Sequence, residues 1–206
     1  MRGEWRSASR SRRSGSGAVD RVEESPEDPR QAFRGTAGQI ASGVAIVITM
    51  AAGEPHAATA SSGVVASLDP PLLAVFFSIG SRMHDCLARS GSFTVNLLNR
   101  GDHGLARRFA NPARPSGWAG FSGVDVLERE IGPPILAQAA AWFDCRVRQV
   151  VSMGDHDCFV GEVVACGRDP DAPPLLYYRG RFHGLGPAVA PAPWSTFDRS
   201  DLIADW

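Results

Sequence analysis

AAAWFDCRVRQVVSMGDHDCFVGEVVAC, residues 139–166, alternates, turns and comes back. Ala139, Ala141, Phe143, Cys145 and Val147 interleave with Asp144, Arg146 and Arg148, which predicts a strand with one buried and one wet face. Ser152-Met153-Gly154-Asp155 is turn chemistry, and Cys158 to Cys166 returns as a second strand. The same pattern extends outward. Val44 to Met50 is a β-branched run, and residues 51–55 turn it into a short strand near His56 to Ala60. Pro70-Pro71 introduces Leu72 to Ser78, whose unbroken apolar character predicts a strand covered on both faces. Phe93 to Leu98 is a further strand, and Leu175 to Tyr178 with Phe182 to Leu185 form a last pair around Gly180. The helices are short. Gln31 to Ser42 is spaced to bury Phe33, Ala37, Ile40 and Ala41, with Gly43 as the stop. Arg82 to Arg89 takes Ser81 as N-cap and Gly91 as its close, and Asp102 to Ala110 breaks at Asn111-Pro112. About seven strands with short helices between them predict a mainly β fold, a closed antiparallel barrel. Nothing repeats at a βαβ period, which argues against a doubly wound sheet.

The 206 residues carry 21 basic and 22 acidic side chains, a net charge of −1. That balance gives no sequence-wide pull toward nucleic acid or anionic lipid. No apolar run approaches the roughly 18 residues needed to cross a membrane. Cys86, Cys145, Cys158 and Cys166 form no CxxC pair, so neither a disulfide framework nor structural zinc is expected. All 21 basic residues are Arg. A coding bias explains this, but it removes Lys-based Schiff-base and P-loop chemistry. Residues 1–30, Arg-rich and then acidic around a Ser/Gly linker, read as a disordered tail. No apolar region follows Arg12-Arg13, so this is not a secretory signal, and a cytoplasmic location is expected. Residues 187–206 begin with PAVAPAP and read as a C-terminal extension with aromatics that dock onto the domain or a second subunit. One globular domain, residues 31–186, remains.

Hydrolytic and metal chemistry have no visible constellation. GxSxG, HExxH and a P-loop are missing, and His56, His84, His103, His156 and His183 show no metal-ligand spacing. Asp155-His156-Asp157 reads as a turn with solvated side chains ahead of a partial metal site. No metal is expected. Two polar clusters are left. Thr59-Ala60-Ser61-Ser62, continuing to Ser67, offers hydroxyls and backbone amides either to its own loop or to a planar, phosphate-bearing cofactor. Ser78-Ile79-Gly80-Ser81-Arg82 follows the next strand at a helix start, where an anion is favoured and Arg82 supplies fixed charge. A cofactor site and a self-satisfied loop stay open as alternatives on these residues alone.

The order of motifs resembles the flavin reductase-like family. The likeness runs through Gly43 to Thr49, Thr59 to Ser62, Ser67-Leu-Asp-Pro-Pro-Leu72 and Phe93-Thr-Val-Asn96. It continues through Leu105 to Ala110, Gly154-Asp-His156, Gly161-Glu-Val163 and Pro174 to Tyr178. The resemblance implies an FMN-binding split barrel, a homodimer, and a cofactor pair of FMN or FAD with NADH or NADPH. It implies an NAD(P)H:flavin oxidoreductase that supplies reduced flavin to a partner monooxygenase. Carried over by position, Thr59, Ala60, Ser61, Ser62 and Ser67 would line the flavin. Ser78, Ser81 and Arg82 would lie by its phosphate, and Ser42, Gly43, Val44 and Ala45 would face the nicotinamide. His156 would be the catalytic residue, near nicotinamide or flavin. Gly63-Val64 departs from the pattern where many relatives place a bulky residue. Hydride transfer between cofactors asks the protein for orientation and electrostatics and needs no acid–base dyad. Two alternatives compete: a flavoprotein that keeps its flavin and acts directly on an organic substrate, and a non-catalytic flavin- or haem-binding module.

Overall fold

The computed structural model describes residues 28–130 and 132–187. The expectations for the two tails fall largely outside them. In chain order the elements are α1 (Pro29–Ala37), β1 (Ser42–Gly43), β2 (Ala45–Ala51), β3 (Glu54–Ala60), β4 (Val64–Leu68) and β5 (Pro71–Ser78). Next come α2 (Arg82–Ser90), β6 (Ser92–Leu97), α3 (His103–Ala110), β7 (Val126–Leu127) and β8 (Ile135–Leu136). The long hairpin β9 (Ala141–Met153) and β10 (His156–Arg168) is followed by β11 (Leu175–Tyr178) and β12 (Arg181–Gly184).

Seven strands form one antiparallel sheet in the order β3-β2-β6-β9-β10-β5-β4. Consecutive strands β3 and β4 therefore sit at its two opposite edges. Laid flat, six inter-strand spacings would part them by roughly 29 Å. The chain from Ala60 to Val64 spans at most about 15 Å. The sheet has to curl until its edges approach. Among the described residues no ladder joins β3 to β4, so the barrel keeps an open seam, with Ser61-Ser62-Gly63 crossing it.

Strand β2 shows why both faces are filled. Ala45 and Val47 point inward with Val75, Phe77, Phe93, Val95 and Phe159, and α2 plugs that interior with Met83 and Leu87. Val44, Ile46 and Ile48 point outward beneath Ala106 and Phe109 of α3, Phe121, and Leu175 of β11. Asn96, fully buried on β6, ties the layers together. Its amide donates to the Ile46 carbonyl (3.1 Å) and to Thr94 Oγ1 (3.1 Å), and its oxygen accepts the Leu136 amide (2.9 Å).

Three expectations change. The first helix starts at Pro29, with Asp28 as its cap, and ends at Ala37. Ser42 and Gly43 are drawn instead into a ladder with Tyr177 and Leu176. Its supposed core residues Phe33 and Ile40 are 69% and 73% exposed. Asp144, expected on a wet face, is buried, and Arg129 comes to 2.7 Å from it. Strand β4 lies where only a polar loop was read. The helix α2, by contrast, forms as read: Ser81 Oγ accepts the His84 amide, and Gly91 caps at φ 69°.

Gly161 sits at a bulge in β10, facing the barrel interior. A Cβ there would stand 2.6 Å from Phe93 Cζ and 2.8 Å from Cys145 Cβ. Gly161→Ala should cost about 1–3 kcal/mol of stability by overpacking. Urea unfolding checks this, and an unchanged midpoint contradicts the packing described.

Candidate active site

A cleft of about 540 Å³ opens at the seam. Strand β3 brings His56, Ala58, Thr59 and Ala60 to it, and the crossing loop adds Ser61 and Ser62. The end of β5 and the start of α2 supply Phe76, Phe77, Ser78, Ser81 and Arg82. Arg114 enters from the α3 exit and His156 from β10. Eight residues singled out in the sequence thus converge: Thr59, Ala60, Ser61, Ser62, Ser78, Ser81, Arg82 and His156. The others lie elsewhere. Ser67 pairs with Leu72 inside β4–β5, and Ala45 is buried in the barrel core. Gly43 pairs with Leu176, while Ser42 and Val44 border neighbouring depressions.

Most hydroxyls here already have partners. Thr59 Oγ1 donates to the Ala106 carbonyl of α3 (2.7 Å), so its proton is spent holding β3 to that helix. Ser81 caps α2. Ser78 and His156 face each other across the β5–β10 ladder, Oγ 3.0 Å from Nε2. Asp155 Oδ1 lies 2.7 Å from His156 Nδ1 and can only accept, so Nδ1 carries a proton. In the neutral ring Nε2 then accepts from the Ser78 hydroxyl.

The charges are lopsided. Arg82 and Arg114 line the cleft, and no Asp or Glu does. Arg82 Nη1 donates to Ser116 Oγ (2.9 Å), and Arg114 donates to the carbonyls of Asn111 (2.9 Å) and Ala57. Arg114 also lies 3.3 Å from His56 Nε2, which must accept because a guanidinium only donates. Burial, reinforced by Arg114 and Arg82, pushes the His56 pKa down to about 4, so the ring is neutral near pH 7. Neither residue was singled out from the sequence. The signal for His56 was its two-residue spacing from Ala58 and Ala60 along one face of β3. For Arg114 it was the proline on either side, which stiffens the segment.

A separate ion cluster locks the walls. His84 Nδ1 is 3.0 Å from Asp85 Oδ1, and Nε2 is 2.9 Å from Asp157 Oδ2. The two carboxylates raise the His84 pKa by hydrogen bonding, outweighing its desolvation. The contact of His84 with Asp157 bridges α2, which carries Arg82, to β10, which carries His156.

A model described as the flavin reductase like domain matches residues 37–186. The chain belongs to the flavin reductase-like family. An NADH-dependent FAD reductase of Streptomyces globisporus is 36% identical over 163 residues, covering 79% of this chain and 88% of its own length. The reductase subunit HsaB of a flavin-dependent monooxygenase from Rhodococcus jostii is 35% identical over 178 residues, covering 86% and 87%. The solved structure of the Streptomyces globisporus NADH:FAD oxidoreductase SgcE6, in complex with NAD and FAD fragments, matches with a TM-score of 0.71 at 32% identity. It covers 77% of this chain and 94% of the other. As a flavin reductase-like protein, the chain has its seam cleft tested for flavin by its own contents. Phe76, Phe77, Met83 and Phe109 in its lining, hydroxyls from both walls and two guanidiniums without a carboxylate suit a planar heterocycle with a phosphate tail.

His56 sets a pH dependence. A histidine with a lowered folded-state pKa contributes stability that is fully present above its unfolded value near 6.5 and is lost as pH falls toward about 4. Wild-type Tm should therefore fall more steeply between pH 6.5 and 4 than that of His56→Gln. Parallel Tm profiles would show that His56 is not buried neutral.

Proposed function

We infer that this chain is an NAD(P)H-dependent flavin reductase, taking FMN or FAD and supplying reduced flavin to a partner monooxygenase. The observation that carries the reading is the seam cleft: hydroxyl loop, two guanidiniums and His156 brought together with no carboxylate, in a family member. The hydride chemistry belongs to the bound flavin and the nicotinamide. The protein's share is placement. Thr59, Ala60, Ser61 and Ser62 line the isoalloxazine, while Ser78, Ser81, Arg82 and Arg114 hold the phosphate. His156, its tautomer set by Asp155 and Ser78, orients the reacting edge. Ala45, Gly43 and Ser67 have no part in this assignment.

The reading includes a homodimer of the 31–186 unit. Phe33 and Ile40 stand exposed on and after α1, and Val64, Val65 and Leu68 stand exposed on edge strand β4. Such apolar surface is what a second copy covers. Its setting is cytoplasmic on this reading; among the described residues no helix is long and apolar enough to cross a membrane.

Purified protein should consume NADH or NADPH only when FMN or FAD is added. Tightly retained yellow colour without dinucleotide consumption overturns the reductase reading in favour of a flavin-retaining protein. Arg82→Ala should weaken FMN roughly ten- to a hundred-fold, the range for losing a charged hydrogen bond, and leave riboflavin nearly unchanged. Equal losses for both ligands would remove Arg82 from the phosphate.

A further inference from the structure

Among the described residues His56 is the one buried histidine, 7% exposed on β3, and it lines the seam cleft together with Arg82 and Arg114. Its tautomer is set by its neighbour. Arg114 Nη2, 3.3 Å from Nε2, can only donate, so Nε2 accepts and the ring proton sits on Nδ1. Arg114 is held in that place, because it also donates to the carbonyls of Ala57 and Asn111. Burial, with Arg114 and Arg82 adding like charge, keeps the ring neutral near pH 7, so it carries one proton and not two.

That Nδ1 proton is uncommitted. Among the described residues the side-chain hydrogen bond of His56 is the one it accepts from Arg114. The buried side-chain polar atoms left without a partner are Arg129 Nη1 and Asp157 Oδ1. Nδ1 is not one of them, so it reaches open space, and the open space His56 borders is the cleft. A guanidinium pulling on Nε2 polarises the ring and makes Nδ1–H a stronger donor. The cleft gains the positive end of a dipole without a third cation, which Arg82 and Arg114 would repel. No carboxylate lines the cleft, so the acceptor has to come with the ligand. Beside two guanidiniums, that acceptor is the oxygen of a phosphate.

We propose that His56 is a phosphate-binding residue of the seam cleft, donating Nδ1–H to a phosphate oxygen of the ligand beside Arg82 and Arg114. It favours phosphorylated flavin over riboflavin. That the phosphate belongs to a flavin rests on the flavin reductase reading; that His56 serves a phosphate rests on its tautomer and the cleft.

Heteronuclear NMR of isotope-labelled histidine side chains near pH 7 reads the tautomer, with His56→Gln assigning the resonance. Free protein should show His56 protonated on Nδ1. FMN should shift that Nδ1 signal, and so should inorganic phosphate, while riboflavin should move it far less. His56→Gln offers Arg114 an oxygen where Nε2 stood and removes the Nδ1 donor. It should bind FMN about tenfold more weakly, the low end for losing a hydrogen bond to a charged group, and riboflavin within about twofold. His56→Asn, whose amide nitrogen takes the Nδ1 position, should keep part of the FMN affinity. If His56→Gln does not fold by circular dichroism, His56→Asn assigns the resonance and the wild-type shifts decide. An Nε2-protonated ring, an Nδ1 signal unmoved by both FMN and phosphate, or equal losses of FMN and riboflavin in His56→Gln overturns the proposal. Those outcomes leave the flavin reading standing wherever wild type still binds FMN. Wild type that ignores FMN while its His56 signal answers to inorganic phosphate sinks the flavin reading and keeps the phosphate site.

Discussion

A length constraint shapes the molecule. Strands β3 and β4 are neighbours in the chain and opposite edges of a seven-stranded sheet, with Ser61-Ser62-Gly63 alone between them. The hairpin β9–β10, supplied from far along the chain, fills the middle of that sheet. It pairs with β6 on one side and β5 on the other. Inserting it forces curvature, because a flat arrangement would overstretch the crossing loop. The open seam is the residue of that compromise, and the cleft sits there. Backbone groups at a seam are not consumed by a ladder, so a ligand can use them.

What keeps the seam from collapsing is a set of cross-element ties around it. Thr59 is bound to α3, Arg114 clamps the α3 exit onto β3, and Arg82 reaches Ser116. His84, also hydrogen-bonded to Asp85 within α2, ties α2 to β10 through Asp157. Each tie joins residues far apart in the chain, so the walls hold their spacing without the cleft being filled. The cost is burial, reinforced by like charge: desolvation and then Arg82 lower the Arg114 pKa, and desolvation with both guanidiniums lowers that of His56.

The strands of this fold were legible because their patterns are local. The β9–β10 hairpin shows itself through alternation and a Gly154 turn, and α2 through a serine cap and a terminal glycine. Strand β4 was not legible: Val64-Val-Ala-Ser-Leu68 is short, exposed and held only by β5. The first helix misled because Phe33 and Ile40 have helical spacing, yet no core among the described residues buries them. Asp144 misled for the converse reason. Alternation reports which face a residue is on, not what other part of the chain covers that face. In the site, the hydroxyl loop and Arg82 were readable as motifs, whereas His56 and Arg114 become neighbours only when β3 and the α3 exit meet.

The cleft's chemistry follows from which groups are already committed. Thr59 has given its proton to Ala106, Ser81 serves as a cap, and Ser78 is engaged with His156. Arg82 and Arg114 bring the fixed positive charge of their guanidiniums. A site arranged this way offers shape and positive potential, and the one proton it can relay lies on the Asp155–His156–Ser78 line. Acid–base catalysis of a hydrolytic kind would need a carboxylate or free imidazole facing the ligand. His56, the other imidazole here, is pinned as an acceptor by Arg114, while His156 is held between Asp155 and Ser78. Hydride transfer makes no such demand. It asks that two flat rings be held together in a positive field that favours added negative charge, and this cleft supplies that field.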